Sequence, residues 1–464
     1  MTVRKLQNFN GEGRKIMNLA YDVSDRPAFG KTIVFAFQQL LAILAATIAV
    51  PSIIGHGMSQ SAALFGAGIG TIVYLIFTKF KSPVFLGSSF VFMGSMFAAF
   101  AGAVSMELGF LGLVIGAAFA ALVYVIIAIV VRIAGVKWIN LLMPPVVIGP
   151  TVAIIGLSLA ANAVSDSLGG AYDIDAGAYV MNTHSWVCLI CALVTLLVVC
   201  CCSVFGKKMI KLIPFIIGIV AGYAVATIFT LIGNATGIEA LKIIDFSAFS
   251  SIQWIPDFTF IKAFSGFSQL TGTYIAVIAV AYVPVAFVVF AEHLADHKNL
   301  STIIGRDLLE EPGLHRTLLG DGIGSFFGAL FGGCPNTTYG ESIGCVAITG
   351  NASTFTILTT AIIALVFSFV GPFVTFLSTI PGCVMGGVCI TLYGFIAVSG
   401  LKMLQSVNLN DNRNLFTVSV IMITGIGGMV LKIGEVTLTE VAVALILGIV
   451  INRLLHRKGK KEKS

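Results

Sequence analysis

Cys334-Pro-Asn-Thr-Thr-Tyr-Gly-Glu-Ser-Ile343 interrupts a long apolar run with a proline, three polar residues and a glycine. Backbone groups freed from a helix cost several kcal/mol each in hydrocarbon, so this stretch must line a cavity or pack against protein. A second stretch, Lys81-Ser-Pro-Val-Phe-Leu-Gly-Ser-Ser-Phe90, has the same order of proline, short extended segment and Gly-X-Ser before an apolar run. The two interruptions predict two broken membrane spans.

A second pair of similar stretches supports an internal repeat. Pro144-Pro-Val-Val-Ile-Gly149 and Pro381-Gly-Cys-Val-Met-Gly386 lie seven predicted spans apart, as do the first two stretches. An odd number of spans per half inverts one half relative to the other. Inverted repeats with Gly/Pro-interrupted spans at matching positions are typical of secondary transporters that bind substrate at the membrane midplane. The alternative is chance, because Gly and Pro are frequent in membrane helices.

The composition points to the lipid bilayer as solvent. Of 464 residues only 10% are charged, 57% are hydrophobic, and the mean hydropathy is +1.01. Soluble domains carry about 25% charged residues, so a soluble enzyme, a nucleic-acid binder and a disordered chain are excluded. We predict an all-α polytopic membrane protein with fourteen spans: 32–54, 61–78, 83–101, 109–131, 139–162, 185–205, 212–233, 271–290, 317–333, 341–349, 353–377, 380–400, 414–431 and 437–455.

The positive charges give the orientation. With the N-terminus inside, 24 of the 27 Lys and Arg residues fall on the cytoplasmic side, and Lys242, Lys262 and Lys432 are the exceptions. This asymmetry follows the positive-inside rule and predicts a cell-membrane protein with both termini cytoplasmic. The first 31 residues lack the apolar core of a signal peptide. Cys188 and Cys191 form a CxxC without a matching pair, so neither a metal nor a cofactor is predicted.

Four acidic residues stand at broken or polar parts of spans: Glu292, Asp296, Asp321 and Glu341. Each acid at the bilayer centre costs roughly 2.5–3.5 kcal/mol, so pairing, protonation or a wet cavity must offset the cost. Glu292 and Asp296 are four residues apart and share one helix face. Two carboxylates so placed resist ionising together, and one of them is expected to hold a proton. The pair is therefore a candidate for proton coupling.

Two histidines accompany this pair. His293 and His297 are turned about 100° from the acids on a helix, and they either hydrogen-bond those acids or face the cytoplasmic end. Asp321 follows Thr317 by four residues, near a predicted helix start. It is a conformational latch, a helix-end charge or a member of a proton path.

Glu341 follows Gly340 at the point where the extended stretch becomes a short helix. The free N–H groups of a helix N-terminus can donate to the carbonyls of a ligand, while the carboxylate accepts from ligand N–H groups. Phe90 and Tyr339 supply flat apolar walls. The set fits a small planar molecule with alternating N–H and C=O groups.

Several motifs resemble a known family. The runs Ala291-Glu-His-Leu-Ala-Asp-His297, Glu311-Pro-Gly-Leu-His-Arg316, Pro335-Asn-Thr-Thr-Tyr-Gly-Glu341 and Leu86-Gly-Ser-Ser-Phe90 are similar to the bacterial uracil permeases of the nucleobase/ascorbate transporter (nucleobase:cation symporter-2) family. The resemblance implies two inverted seven-span repeats and a homodimer. It also implies a cytoplasmic tail at 1–31 and a basic cytoplasmic tail at 456–464. Between the tails, the core domain comprises 32–134 and 271–377, and the gate domain comprises 135–270, which includes an extracellular loop, and 378–455.

The resemblance also implies residue roles. Glu292 and Glu341 match two substrate-binding glutamates, Phe90 and Gly340 match residues whose backbone N–H groups meet the carbonyls of uracil, and Tyr339 matches a pocket wall. Where the family pattern has a histidine four residues after the first glutamate, this chain has Asp296 and then His297, so either residue could serve the coupling role. The cavity and half-helix positions are Ser88, Ser89, Asn336, Thr337 and Thr338.

The function implied is proton-coupled import of uracil by alternating access. Its partners are uracil, protons, the lipid bilayer and a second copy of the chain, with no nucleic acid. A purine such as xanthine or urate is the alternative substrate and needs a wider pocket. A passive nucleobase channel would need a continuous wet path. A membrane enzyme is disfavoured because no nucleophile, base and orienting acid occur at workable spacing.

Overall fold

The structure is a computed structural model that describes residues 19–135, 138, 144–173, 175–207, 209–433 and 436–456. Most of the predicted tails, together with Lys137 and Lys208, lie outside the described residues. The α-helices are α1 Phe29–Ile54, α2 Gln60–Phe77, α3 Met93–Ala101, α4 Met106–Ala134, α5 Pro145–Ser158, α6 Ala160–Ser167, α7 Thr183–Phe205, α8 Met209–Leu212, α9 Pro214–Thr236, α10 Thr259–Phe264, α11 Gly272–Ile304, α12 Leu314–Gly332, α13 Gly340–Thr349, α14 Thr354–Phe367, α15 Gly371–Ser378, α16 Gly382–Leu404, α17 Asn412–Ile426 and α18 Glu440–Leu455.

Short strands and turns of helix connect these elements. In the described part of the chain the strands form three two-stranded antiparallel ribbons. They are β1 Leu86–Ser88, β2 Tyr172–Asp173, β3 Ala178–Tyr179, β4 Asn336–Thr338, β5 Leu431–Ile433 and β6 Val436–Leu438. The 3₁₀ turns are Glu239–Leu241, Phe246–Ser250 and Ser265–Gln269, and Leu309–Gly313 is a short π-helical segment kinked at Glu311.

The helices agree with a membrane protein, but they do not establish the number of spans. Every predicted span overlaps a described helix. Among the described residues, eight helices are long and apolar enough to cross a membrane, or nine if a bent pair counts as one span. Several remaining predicted spans correspond to helices such as α3 and α13, with 9 and 10 residues, which are shorter than the ~20 residues that cross a bilayer alone. Fourteen spans stay a prediction.

Both interrupted stretches form a strand followed by a short helix. β1 precedes α3 and β4 precedes α13, and the two strands pair antiparallel with Gly87 opposite Thr337. The pairing satisfies backbone groups that a broken helix would leave free in the membrane. It also brings the starts of two half-helices together from distant parts of the chain.

A third break was not predicted. The stretch 353–377 was expected as one span, but α14 and α15 are bent by 84° at the junction before Gly371. Pro372 explains the break, because a proline lacks an N–H donor and restricts the residue before it. Conversely, α11 is longer than the predicted 271–290 and runs for 33 residues until Gly305, whose φ of +68° ends it.

The helices α2 and α12 touch backbone to backbone. A Cβ atom built on Gly66 would lie 2.5 Å from the carbonyl oxygen of Gly328, and one on Gly324 would lie 2.7 Å from that of Gly70. Spacing of small residues by four allows membrane helices to approach this closely. The Asn336 side chain fills the remaining gap, since a Cβ atom on Gly328 would lie 2.4 Å from it. α2, α12 and β4 therefore interlock.

Candidate functional site

A cavity of about 380 Å³ lies between two groups of elements. Its volume falls in the usual range for small-molecule sites. One wall comes from the start of α3, α11, β4 and α13. It consists of Phe90, Glu292, Ala295, Asp296, Thr337, Thr338, Tyr339, Gly340 and Glu341. The opposite wall comes from α5, α9 and α16, and consists of Val152, Phe215, Leu392, Phe395, Ile396, Ser399 and Met403.

The cavity brings together most of the residues singled out from sequence. The five predicted substrate-binding residues all line it, and so do Asp296, Thr337 and Thr338. Ser88, Ser89 and Asn336 do not line it; they are buried in or beside the β1–β4 ribbon. The two histidines also lie outside its lining. The structure thus separates the predicted set into a cavity wall and a buried layer behind it.

Two acids on α11 face the cavity with different surroundings. The Oγ1 hydroxyl of Thr338 donates a hydrogen bond to Asp296 Oδ2 at 2.7 Å. Within the described part of the chain, Glu292 Oε2 is buried without a hydrogen-bond partner. A buried polar oxygen without a partner is costly, so Glu292 has an oxygen that a ligand could satisfy.

Glu341 lies in the first turn of α13, one residue after Gly340. Gly340 is exposed, and a Cβ atom there would meet nothing within 4 Å, so its backbone is accessible from the cavity. Ser342 anchors the start of this helix. Its Oγ accepts from the backbone N–H of Phe85 at 3.0 Å and from the side-chain amide of Gln39. The helix N-terminus is therefore fixed relative to α1 and to the stretch before β1.

One aromatic pair joins Phe90, which lines the cavity, to Tyr393 of α16, which is buried outside the lining. The rings of Phe90 and Tyr393 are 5.8 Å apart at 79°, an edge-to-face arrangement. The apolar wall from α5, α9 and α16 was not found from sequence. Residues such as Phe395 and Met403 have the same apolar character whether they face a cavity or lipid, so the pattern held no signal for them.

Among the hydrogen bonds of the described residues, none joins either histidine to Glu292 or Asp296. His293 Nδ1 lies 2.7 Å from Asp321 Oδ2, and its Nε2 lies 3.0 Å from the Thr317 hydroxyl. Both histidines are buried, at most 1% exposed, and the alternative in which they face the cytoplasmic end stays a prediction. The four-residue spacing predicted a direction for the two histidines, but it did not identify Asp321 as the partner of His293.

His297 belongs to a second buried chain. Its Nδ1 donates to the carbonyl oxygen of His293 at 2.8 Å, and its Nε2 lies 2.7 Å from the hydroxyl of Tyr74. Since a carbonyl oxygen only accepts, the Nδ1 of His297 carries a hydrogen. The two histidine rings stack with centroids 4.0 Å apart.

Asp321 is not a helix-end charge. It lies inside α12, seven residues after the first residue of that helix, and it is 1% exposed. Its Oδ2 pairs with His293, which joins α12 to α11. The latch and the proton-path interpretations of Asp321 stay open.

Comparisons with known proteins agree with this architecture. The family model described as "Permease family" matches residues 30–434. The chain is 39% identical to the uracil permease of Bacillus caldolyticus, over 94% of this chain and 94% of that protein. It is 37% identical to the uracil permease of Bacillus subtilis (strain 168), over 97% of this chain and 98% of that protein. It is 34% identical to the uracil permease of Escherichia coli (strain K12), over 93% and 92%.

Solved structures share the fold at low sequence identity. The murine Solute Carrier 26 family member A9 anion transporter in the inward-facing state matches 95% of this chain and 70% of its own, with a TM-score of 0.66 and 12% identity. The transmembrane domain of a cyanobacterium bicarbonate transporter, BicA, matches 93% of this chain and 98% of its own, with a TM-score of 0.61 and 15% identity. The fold is therefore that of a helical membrane transporter.

Proposed function

The chain belongs to this permease family, as its sequence motifs predicted, and we propose that it imports uracil together with protons across the cell membrane. A permease moves a solute, so the protein is a transporter and not an enzyme. The observation that carries the proposal is that Glu292 and Glu341 line one cavity together with the accessible backbone of Gly340.

Uracil is a flat ring with N–H donors and C=O acceptors. Glu341 and the unpaired oxygen of Glu292 supply acceptors for the N–H groups, and the backbone N–H groups near Phe90 and Gly340 supply donors for the carbonyls. Phe90 and Tyr339 supply apolar surface beside the ring. The names of the relatives, uracil permeases, support the same substrate.

Proton coupling is assigned to the Glu292–Asp296 pair. The two carboxyl groups lie one helical turn apart beside the cavity, and two negative charges this close in a low dielectric oppose each other. A proton on the pair removes that repulsion and lowers the cost of seating a substrate. His293 and His297 lie behind the pair and hold the surrounding helices through their hydrogen bonds.

The division of the cavity supports alternating access. The acidic wall belongs to the predicted core domain, 32–134 and 271–377, and the apolar wall to the predicted gate domain, 135–270 and 378–455. Movement of one wall against the other would expose the substrate to either side without moving the acids relative to the half-helices. Two inverted seven-span repeats, cytoplasmic termini and a homodimer complete the proposal.

The test uses purified protein in proteoliposomes with labelled uracil. In Glu341→Gln we expect binding to weaken about tenfold, because a hydrogen bond to a charged group is lost. In Asp296→Asn we expect binding to persist and proton-driven accumulation to disappear. Glu107→Gln, an exposed acid in the first turn of α4, is the matched control.

Three outcomes would reject the proposal or its substrate. Unaltered proton-driven accumulation in both variants would remove the acids from the mechanism. Accumulation to equilibrium only, unaffected by an uncoupler, would indicate a passive channel. Competition by unlabelled xanthine more strongly than by unlabelled uracil would move the substrate to the purines.

A further inference from the structure

A second and much smaller cavity lies behind the substrate cavity, enclosed by α4, α11, α12 and β4. Its volume is about 10 Å³, close to that of one water-sized sphere. It is lined by Phe92, Ala120, Tyr124, Val289, Asp321, Gly322, Ser325 and Asn336. None of these residues lines the larger cavity.

All four polar side chains in this lining have an atom without a hydrogen-bond partner among the described residues. The atoms are Tyr124 OH, Asp321 Oδ1, Ser325 Oγ and Asn336 Oδ1. Each of these residues is at most 5% exposed. A buried polar atom without a partner costs about 1–3 kcal/mol, and such atoms are few in native proteins. Four around one small cavity indicate a ligand that all of them share.

The other bonds of these residues determine what the ligand must offer. Asn336 Nδ2 donates to the carbonyl oxygen of Gly66 at 3.1 Å, so the free atom of this amide is its acceptor oxygen. Asp321 Oδ2 is occupied by His293, so Oδ1 is a second free acceptor. Tyr124 and Ser325 contribute hydroxyls, each with a hydrogen to donate.

We propose that this cavity binds one water molecule. The water donates its two hydrogens to Asp321 Oδ1 and Asn336 Oδ1 and accepts hydrogens from the hydroxyls of Tyr124 and Ser325. A water molecule makes about this number of bonds at buried sites. A sodium ion of similar size would also satisfy oxygen atoms, but it cannot accept hydrogen bonds and would leave both hydroxyl hydrogens unpaired.

The water would add a polar connection between three parts of the protein. It ties α4 to the Asp321–His293 pair and to Asn336, the first residue of β4. The next two residues of β4, Thr337 and Thr338, line the substrate cavity. The bound water is therefore the polar link between the buried acid–histidine pair and the strand that contacts the substrate.

The test depends on the sign of a stability change. Deleting a hydroxyl that has no partner removes a desolvation cost and stabilises the protein, whereas deleting one that binds a water destabilises it. We expect Tyr124→Phe to lower the melting temperature of the detergent-purified protein by about 2 °C. The matched control is Tyr282→Phe, whose hydroxyl is likewise buried and unpartnered among the described residues but lies outside this lining. Tyr282→Phe should not lower the melting temperature.

A double variant tests whether the two hydroxyls share the ligand. We expect Ser325→Ala to lower the melting temperature, as Tyr124→Phe does. The double variant should lower it by less than the sum of the two single effects, because both hydroxyls act through one water molecule. A rise in melting temperature for Tyr124→Phe, or strict additivity with Ser325→Ala, would overturn the proposal.

The ion arm compares sodium chloride with choline chloride at equal ionic strength. For a water site, the melting temperature of the unmodified protein and the effect of Ser325→Ala are the same in both salts. A higher melting temperature in sodium that Ser325→Ala abolishes would assign the cavity to the ion and reject the water.

Discussion

The ring of Tyr339 lies over the α-carbon of Gly87, and its hydroxyl donates a hydrogen bond to the carbonyl oxygen of Ser88 at 2.7 Å. A Cβ atom on Gly87 would come within 2.3 Å of the ring. One side chain that follows β4 is thus held against β1, across the ribbon that joins the two interrupted stretches. The position of this cavity wall depends on a glycine that is absent from the cavity lining.

Gly87→Ala should therefore impair the substrate site from outside it. The added methyl group must push the Tyr339 ring away, and we expect uracil binding to weaken about tenfold, the usual scale for overpacking a tight contact. The measurement is equilibrium binding to purified protein. Gly94→Ala is the control, because its Cβ would meet only Thr439 Cγ2 at 3.8 Å. Unchanged binding in Gly87→Ala would contradict the wall assignment.

Thr338→Val should slow transport. Valine keeps the shape of threonine but removes the hydroxyl that donates to Asp296 Oδ2. Loss of a hydrogen bond to a carboxyl group predicts an initial uptake rate about tenfold lower. Thr338→Ser keeps the donor and should retain most of the rate. If both variants transport equally, the bond has no role in the cycle.

The Asp321–His293 pair predicts a coupled stability change. His293→Leu leaves Asp321 Oδ2 buried without its partner, and removing one member of a buried pair costs about 3 kcal/mol or more. The double variant His293→Leu/Asp321→Asn should recover part of that loss, since an amide tolerates burial better than an unpaired carboxylate. The measurement is the unfolding midpoint in detergent of the unmodified protein, the two single variants and the double variant, which together form a double-mutant cycle. Simple additivity would show that the pair is not energetically coupled.

The ion pair between Lys81 and Glu311 predicts a pH-dependent effect outside the membrane spans. The Lys81 ammonium donates to the carboxylate and holds the pKa of Glu311 below its usual range. A pKa lowered in the folded state adds stability above the unfolded pKa of about 4.3, and this is lost as the pH falls through the folded pKa. Lys81→Ala should therefore lower the melting temperature slightly at neutral pH and not in strong acid.

Salt and a matched lysine provide the controls for that prediction. Both side chains are well exposed, so the neutral-pH difference should shrink in high salt. Lys298→Ala changes another exposed lysine, for which the described residues provide no ion pair. If Lys81→Ala lowers the melting temperature in strong acid as well, the effect comes from packing and not from the ion pair.

The sequence predicted the cavity's acidic wall better than its apolar wall. Prolines, glycines and acids inside apolar runs conflict with lipid, so Glu292, Glu341 and both interruptions were visible from residue type alone. Phe215 and Leu392 are apolar and suit a lipid-facing position as well as a cavity wall. Their place beside the cavity depends on how the helices pack. The partner of His293 was missed for a related reason, because helical spacing gives a direction and Asp321 reaches that direction from another helix.

The small cavity was equally beyond sequence reasoning. Tyr124, Ser325 and Asn336 come from α4, α12 and β4, and they line one cavity only because these three elements pack together. No local pattern marks such residues, since a tyrosine or a serine in a membrane helix usually bonds within its own neighbourhood.

The glycine contact between α2 and α12 also determines how motion in this protein can be measured. Gly66 and Gly328 leave no room for side chains between the two backbones, so we expect these helices to move together as one rigid unit. A pair of spectroscopic labels placed on them would keep a constant separation through the transport cycle. A label on this pair would therefore be the reference position for measuring any displacement of α5, α9 and α16, which the proposed alternating access predicts.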